Sequence, residues 1–117
     1  FQELTSACAD EADGRFALAE LNSFLAGLAA GELRNAVLTA PETRLPAIQA
    51  NYVAAMVEYA CARRGVGAPD WTGQVVPLVS PVFGSKLESL RLYLLTHSPP
   101  PFRRRNIFID ASIGARV

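Results

Sequence analysis

The sequence predicts a mainly α fold: a compact helical domain of four to five helices, with a Pro-rich extended segment and a short apolar segment near the C-terminus. Three observations carry this expectation. An apolar stripe recurs at three- and four-residue steps between Thr43 and Gly65, a broader stripe covers residues 15–29, and a third follows a capping signal at Ser85.

The stretch TRLPAIQANYVAAMVEYACARRG at 43–65 is the longest of these. Leu45, Ile48, Tyr52, Met56 and Tyr59 fall on one side of a helix, which leaves Gln49, Glu58 and Arg64 for a solvated back. Pro46 suits an early helical position, and Gly65 supplies the positive φ that ends a helix after Arg63 and Arg64.

Ahead of this rod, residues 3–11 offer a short helix with Leu4 and Cys8 one turn apart. Beyond Gly14, residues 15–29 place Phe16, Leu18, Leu21, Phe24, Leu25 and Leu28 on a wide apolar face. Gly27 lets a neighbouring helix approach, and Gly31 is the expected stop. Residues 32–38 add a further turn or two, and 41–46 form a connector into the long helix.

After Gly65 the chain is broken by Gly67, Pro69 and Gly73 around the single tryptophan, Trp71. A tryptophan in such a loop fills a gap between packed elements and gives its indole N–H to a carbonyl. Trp71 is therefore predicted to pack on the 43–64 helix and to hold the next segment over the core. Pro77 and Pro81 keep that segment out of any central strand. Ser85 and Glu88 then form a capping box, followed by a helix with Leu87, Leu90 and Leu94 inward and Lys86 and Arg91 outward. His97, Ser98 and Pro99 to Pro101 are expected to end it. Phe102 is read as a second structural anchor, Ile107 to Ile109 as a short strand or buried turn, and Asp110 as the cap of a last helical turn.

At 117 residues the chain holds one core, so residues 1–117 are read as a single helical interaction domain. Charged residues make up 19%, below the usual quarter, which leaves two readings open: an apolar count raised by alanines that tolerate either face, or a surface partly covered by a partner. Eleven bases cancel eleven acids, so no net field draws nucleic acid. The charges are unevenly placed: residues 1–32 carry six acids against one base, and residues 81–117 carry six bases against two acids. Cys8 and Cys61 are expected to be reduced, structural thiols, which points to a cytoplasmic protein. No run of about twenty apolar residues crosses a bilayer. The start at Phe1 predicts a fragment of a longer regulator.

Catalytic groupings are sparse. His97 is the single histidine, so no histidine pair can ligate a metal, and Ser98 beside it lacks an orienting third member. Asp10, Glu11 and Asp13 lack the alternating ligands of a calcium loop. No cofactor is expected. The most unusual feature is Arg103, Arg104 and Arg105, because three consecutive guanidiniums cannot all be neutralised by one local face. Pairing with Asp10, Glu11 or Asp13, a protein partner and nucleic-acid phosphate are all open to them.

The segments EYACARRGVGAPDW at 58–71 and SLRLYLLTHSPPPFRRRNIFI at 89–109, with their separation, resemble the C-terminal region of uncharacterised bacterial helix-turn-helix-type regulators. Some of these are antitoxin-like and paired with nucleotidyltransferase-like toxins. Trp71, Ser98, Phe102, Arg103, Arg104, Arg105 and Ile107 are the matching positions, whereas the family's usual histidine before the glycine is Arg64 here. The resemblance implies a non-enzymatic interaction or dimerisation domain of a transcriptional regulator, with a homodimer or protein partner and DNA contacted through an upstream domain. Two alternatives are a nucleic-acid-binding domain using Arg103, Arg104, Arg105, Arg91 and Lys86, and a small enzyme built on His97, Tyr93 and an acid.

Overall fold

In the computed structural model, residues 1–9, 14–83 and 99–108 are described. Among them, helices α1 (Gln2–Ala7), α2 (Gly14–Ala26), α3 (Ala30–Ala36), α4 (Ala47–Arg63) and α5 (Pro100–Arg103) dominate, as the mainly α expectation requires. A 3-10 turn spans Asp70–Gln74. Strands β1 (Val82–Phe83) and β2 (Ile107–Phe108) pair in parallel, with Val82 opposite Ile107 and Phe83 opposite Phe108. Asp10, Glu11, Asp13, the Ser85–Glu88 capping box, the Leu87, Leu90 and Leu94 stripe, Tyr93, His97, Ser98, Ile109 and Asp110 lie outside the described residues.

Helix α4 is the hub, touching α2, α3, α5 and the 3-10 turn. Its central residues Val53, Ala54, Ala55, Met56 and Val57 are all buried, together with Asn51, Ala60 and Cys61. The expected solvated back is therefore absent over these turns. Alanine explains the difference: its small side chain lets neighbours close in on a face that a search for large apolar residues passes over. Ile48, expected inside, is 47% exposed in the first turn. Pro46 sits at the N-cap, just outside the helix, and Gly65 ends it with φ +67° as expected.

The stop of α2 is earlier than Gly31. The helix closes at Ala26, Gly27 forms the turn after it, and Gly31 lies inside α3. Arg64 accounts for this ending. Its guanidinium donates to the carbonyls of Ala26 and Leu28, which have no partner within the helix. Glu32 performs the matching task for α3 by accepting the Ala29 N–H at 3.1 Å. At the other edge, the Gln2 amide donates to Ala40 O at 3.1 Å and accepts the Glu42 N–H at 2.8 Å, fastening α1 to the 41–46 connector.

Three prolines that were expected to finish a helix begin one. Pro99 is the N-cap of α5, and Pro100 and Pro101 occupy its first positions, where a missing N–H leaves no helical bond unmade. This short turn drives Phe102 into the core at zero exposure. The Phe102 ring lies 6.5 Å from Tyr52 and 6.0 Å from Tyr59, edge to face in both cases.

Cys8 and Cys61 are free and buried. Burial lifts the Cys8 thiol from 9.0 to about 11, and it raises Cys61 too, although the Arg64 charge acts in the opposite sense there. Between those two values the native chain keeps a proton on Cys8 that the unfolded chain has lost, so stability must fall as pH rises through that range. Denaturant midpoints measured from pH 9 to pH 11 should decline more steeply for the native chain than for Cys8→Ala. Parallel declines would contradict this burial effect.

Candidate interaction surface

The three consecutive arginines do not form one surface cluster. Arg105 is 5% exposed, and its guanidinium is fully engaged inside the protein. Nε donates to Glu58 Oε1 at 3.1 Å, Nη1 donates to Asn51 Oδ1 at 3.2 Å and to Val75 O at 3.1 Å, and Nη2 donates to Thr72 O at 2.6 Å. The expectation that Arg105 meets a partner or nucleic acid is therefore corrected: it is a structural residue. Its acid is Glu58 of α4, which the helical wheel had assigned to water.

Chain geometry explains the separation. Arg103 closes α5, while Arg104, Arg105 and Asn106 form the following turn, which carries the Arg105 side chain inward, away from those of its two neighbours. Asn106 takes φ +63°, a left-handed conformation that asparagine tolerates, and its amide donates to Leu78 O. Arg103 and Arg104 remain exposed. Among the described residues, Arg104 Nε donates to Pro100 O at 3.3 Å, and no carboxylate pairs with either residue. Arg91 and Lys86 lie outside the described residues.

The segment after the 3-10 turn is irregular yet held at several points. Asn51 donates to Val76 O at 2.9 Å, Arg105 holds Val75 O, and Asn106 holds Leu78 O. As expected of a segment laid over the helical core, Leu78 is half-buried against it, whereas Val76 before it is 78% exposed and Val79 after it 96% exposed. The anchoring polar groups grip carbonyls, so the backbone path is fixed while these two valines point outward. The segment thus presents two apolar side chains to water from a backbone held by polar groups.

Trp71 defines a second region. Its indole Nε1 donates to Val37 O at 2.8 Å, where α3 ends, and Phe1 lies 6.1 Å from its ring. The expected indole-to-carbonyl bond is present and goes to the end of α3, while the 3-10 turn that carries the ring touches α4. The ring is half-buried and forms one wall of an open cleft of about 650 Å³, with Leu38, Ala40, Pro69, Arg34 and Asp70 around it. Leu38 at its lip is 67% exposed.

Asn51, Glu58 and Thr72 are the residues that sequence reasoning missed. A signal existed: Asn51 and Glu58 are seven residues apart, two turns on one side of an otherwise Ala-rich helix. Such a polar pair on a buried helix calls for a donor from elsewhere in the chain. Among the described residues, no group of three or more His, Cys, Asp or Glu side chains can hold a metal ion, and no helix is long and apolar enough to cross a membrane. Comparisons with protein-family models, curated proteins and solved structures found no match.

The hydrogen bond and ring contacts of Trp71 make it a brace first and a cleft wall second. Replacing it with Ala removes the Val37 bond and the contact to Phe1, at a cost of about 2–4 kcal/mol. Urea titration followed by circular dichroism should show the lower midpoint. An unchanged midpoint would assign the ring to the cleft alone.

Proposed function

We propose that this chain is a non-enzymatic protein-interaction domain of a bacterial transcriptional regulator, acting through a second copy of itself or a different protein partner. The observation that carries the reading is the pair Val76 and Val79, held outward on a segment whose carbonyls are fixed by Asn51, Arg105 and Asn106. Ordering such a segment before binding lowers the entropy lost on association. Leu38 and Ile48 add further exposed apolar surface. The resemblance of 58–71 and 89–109 to bacterial regulators supplies the regulatory context, with DNA contacted by a different domain and a cytoplasmic location.

Direct nucleic-acid binding through the arginine cluster loses support because Arg105 is internal. Two exposed neighbours, Arg103 and Arg104, give only a small counterion-release contribution on a chain of zero net charge.

Analytical ultracentrifugation of the chain, alone and with the proteins encoded beside its gene, tests the proposal. A dimer or a mixed complex is expected, weakened about tenfold or more by Val76→Ser with Val79→Ser. A strictly monomeric chain that captures none of those proteins contradicts it.

A further inference from the structure

The interaction reading leaves the chemistry of the partner open, and the arginines left outside narrow it. Phe102 links two sets of exposed cations. Its ring lies 6.0 Å from Tyr59, and the Arg63 guanidinium stands 5.6 Å from the centre of the Tyr59 ring. Arg103 and Arg104 follow Phe102 directly along the chain. Arg63, Arg103 and Arg104 are all exposed, and none forms an ion pair with a described carboxylate. The end of α4 thus carries Arg63 over the Tyr59 ring, and α5 with the turn after it carries Arg103 and Arg104 next to the buried Phe102: three exposed guanidiniums that no described carboxylate pairs with.

We infer that this face of α5 and the end of α4 docks an acidic peptide segment of a protein partner, an inference that rests on the interaction reading above. Charge complementarity is the first argument. Guanidiniums take carboxylates in bidentate fashion, and Arg105, the adjacent residue, already does its pairing with Glu58 inside. The second argument is the apolar flank. Arg105 and Asn106 fasten the 75–78 backbone beside this turn, and that backbone carries Val76 and Val79 outward. A peptide that alternates acids with apolar residues can satisfy both features, whereas a phosphate backbone leaves the valines unused. Three cations on a neutral chain also give nucleic acid little affinity at physiological salt.

Fluorescence anisotropy with three labelled probes of equal length separates the possibilities: a peptide alternating Glu and Leu, its analogue with Gln in place of Glu, and single-stranded DNA. The Glu/Leu peptide should bind the chain about tenfold or more tighter than the Gln analogue, and Arg103→Gln with Arg104→Gln should abolish most of that difference. Because both side chains are exposed, circular dichroism of this variant should match the native spectrum. Arg63→Gln serves as an independent second variant. Equal affinity for the two peptides, or selectivity unchanged in the variants, overturns the inference, and tighter binding of the DNA does so in favour of nucleic acid. If the complex sought by ultracentrifugation forms and is indifferent to these arginines, the acidic-peptide inference fails while the interaction reading stands.

Discussion

A guanidinium closed off from water must have its donors satisfied, because a buried charge without partners costs several kcal/mol. Arg105 meets that requirement by recruiting three separate parts of the chain. Glu58 and Asn51 come from α4, Thr72 from the 3-10 turn, and Val75 from the segment beyond it. Phe102, three residues earlier, enters the core on the neighbouring face of α4, against Tyr52 and Tyr59. One short helix and the turn after it thus deliver an apolar anchor and a polar anchor to adjacent sides of the same rod.

The exposed surface follows from this arrangement. With Arg105 and Asn106 gripping carbonyls, the 75–79 backbone is held by its polar groups, and its valines are not required for packing. The two-residue pairing of β1 with β2 continues the same alignment, since it runs from Val82 opposite Ile107 to Phe83 opposite Phe108. Inward anchoring and outward display are two consequences of one set of bonds. The opposite side of α4 is closed differently, by small side chains and by Arg64 reaching the end of α2.

Local signals were the legible ones. The body of α4, its stop at Gly65 and the short strand at Ile107–Phe108 follow from periodicity, a left-handed glycine and β-rich apolar residues, all of which act within a few positions, whereas the start of α4 falls at Ala47 and leaves Leu45 in the connector. The triple proline was only partly legible, because residues suited to the end of a helix also suit its first turn, and the second use shows in the placement of Phe102. Arg105 was illegible for another reason. Its acid lies 47 residues away, and Glu58 reads as a solvent-facing residue until α5 is laid across α4. The wet face expected on α4 failed for a related cause: burial of Ala54, Ala55 and Ala60 depends on what approaches them, and their own hydrophobicity says little about it.

The fork geometry of Arg105, beyond its charge, holds the 3-10 turn and the 75–79 segment to α4. Arg105→Lys keeps the charge but offers a single compact ammonium that cannot reach Glu58, Asn51, Thr72 and Val75 together. Urea titration of that variant is the most direct measurement. The account predicts a loss of about 3 kcal/mol or more in unfolding free energy, because buried acceptors are left without donors. A midpoint and slope equal to those of the native chain would contradict it.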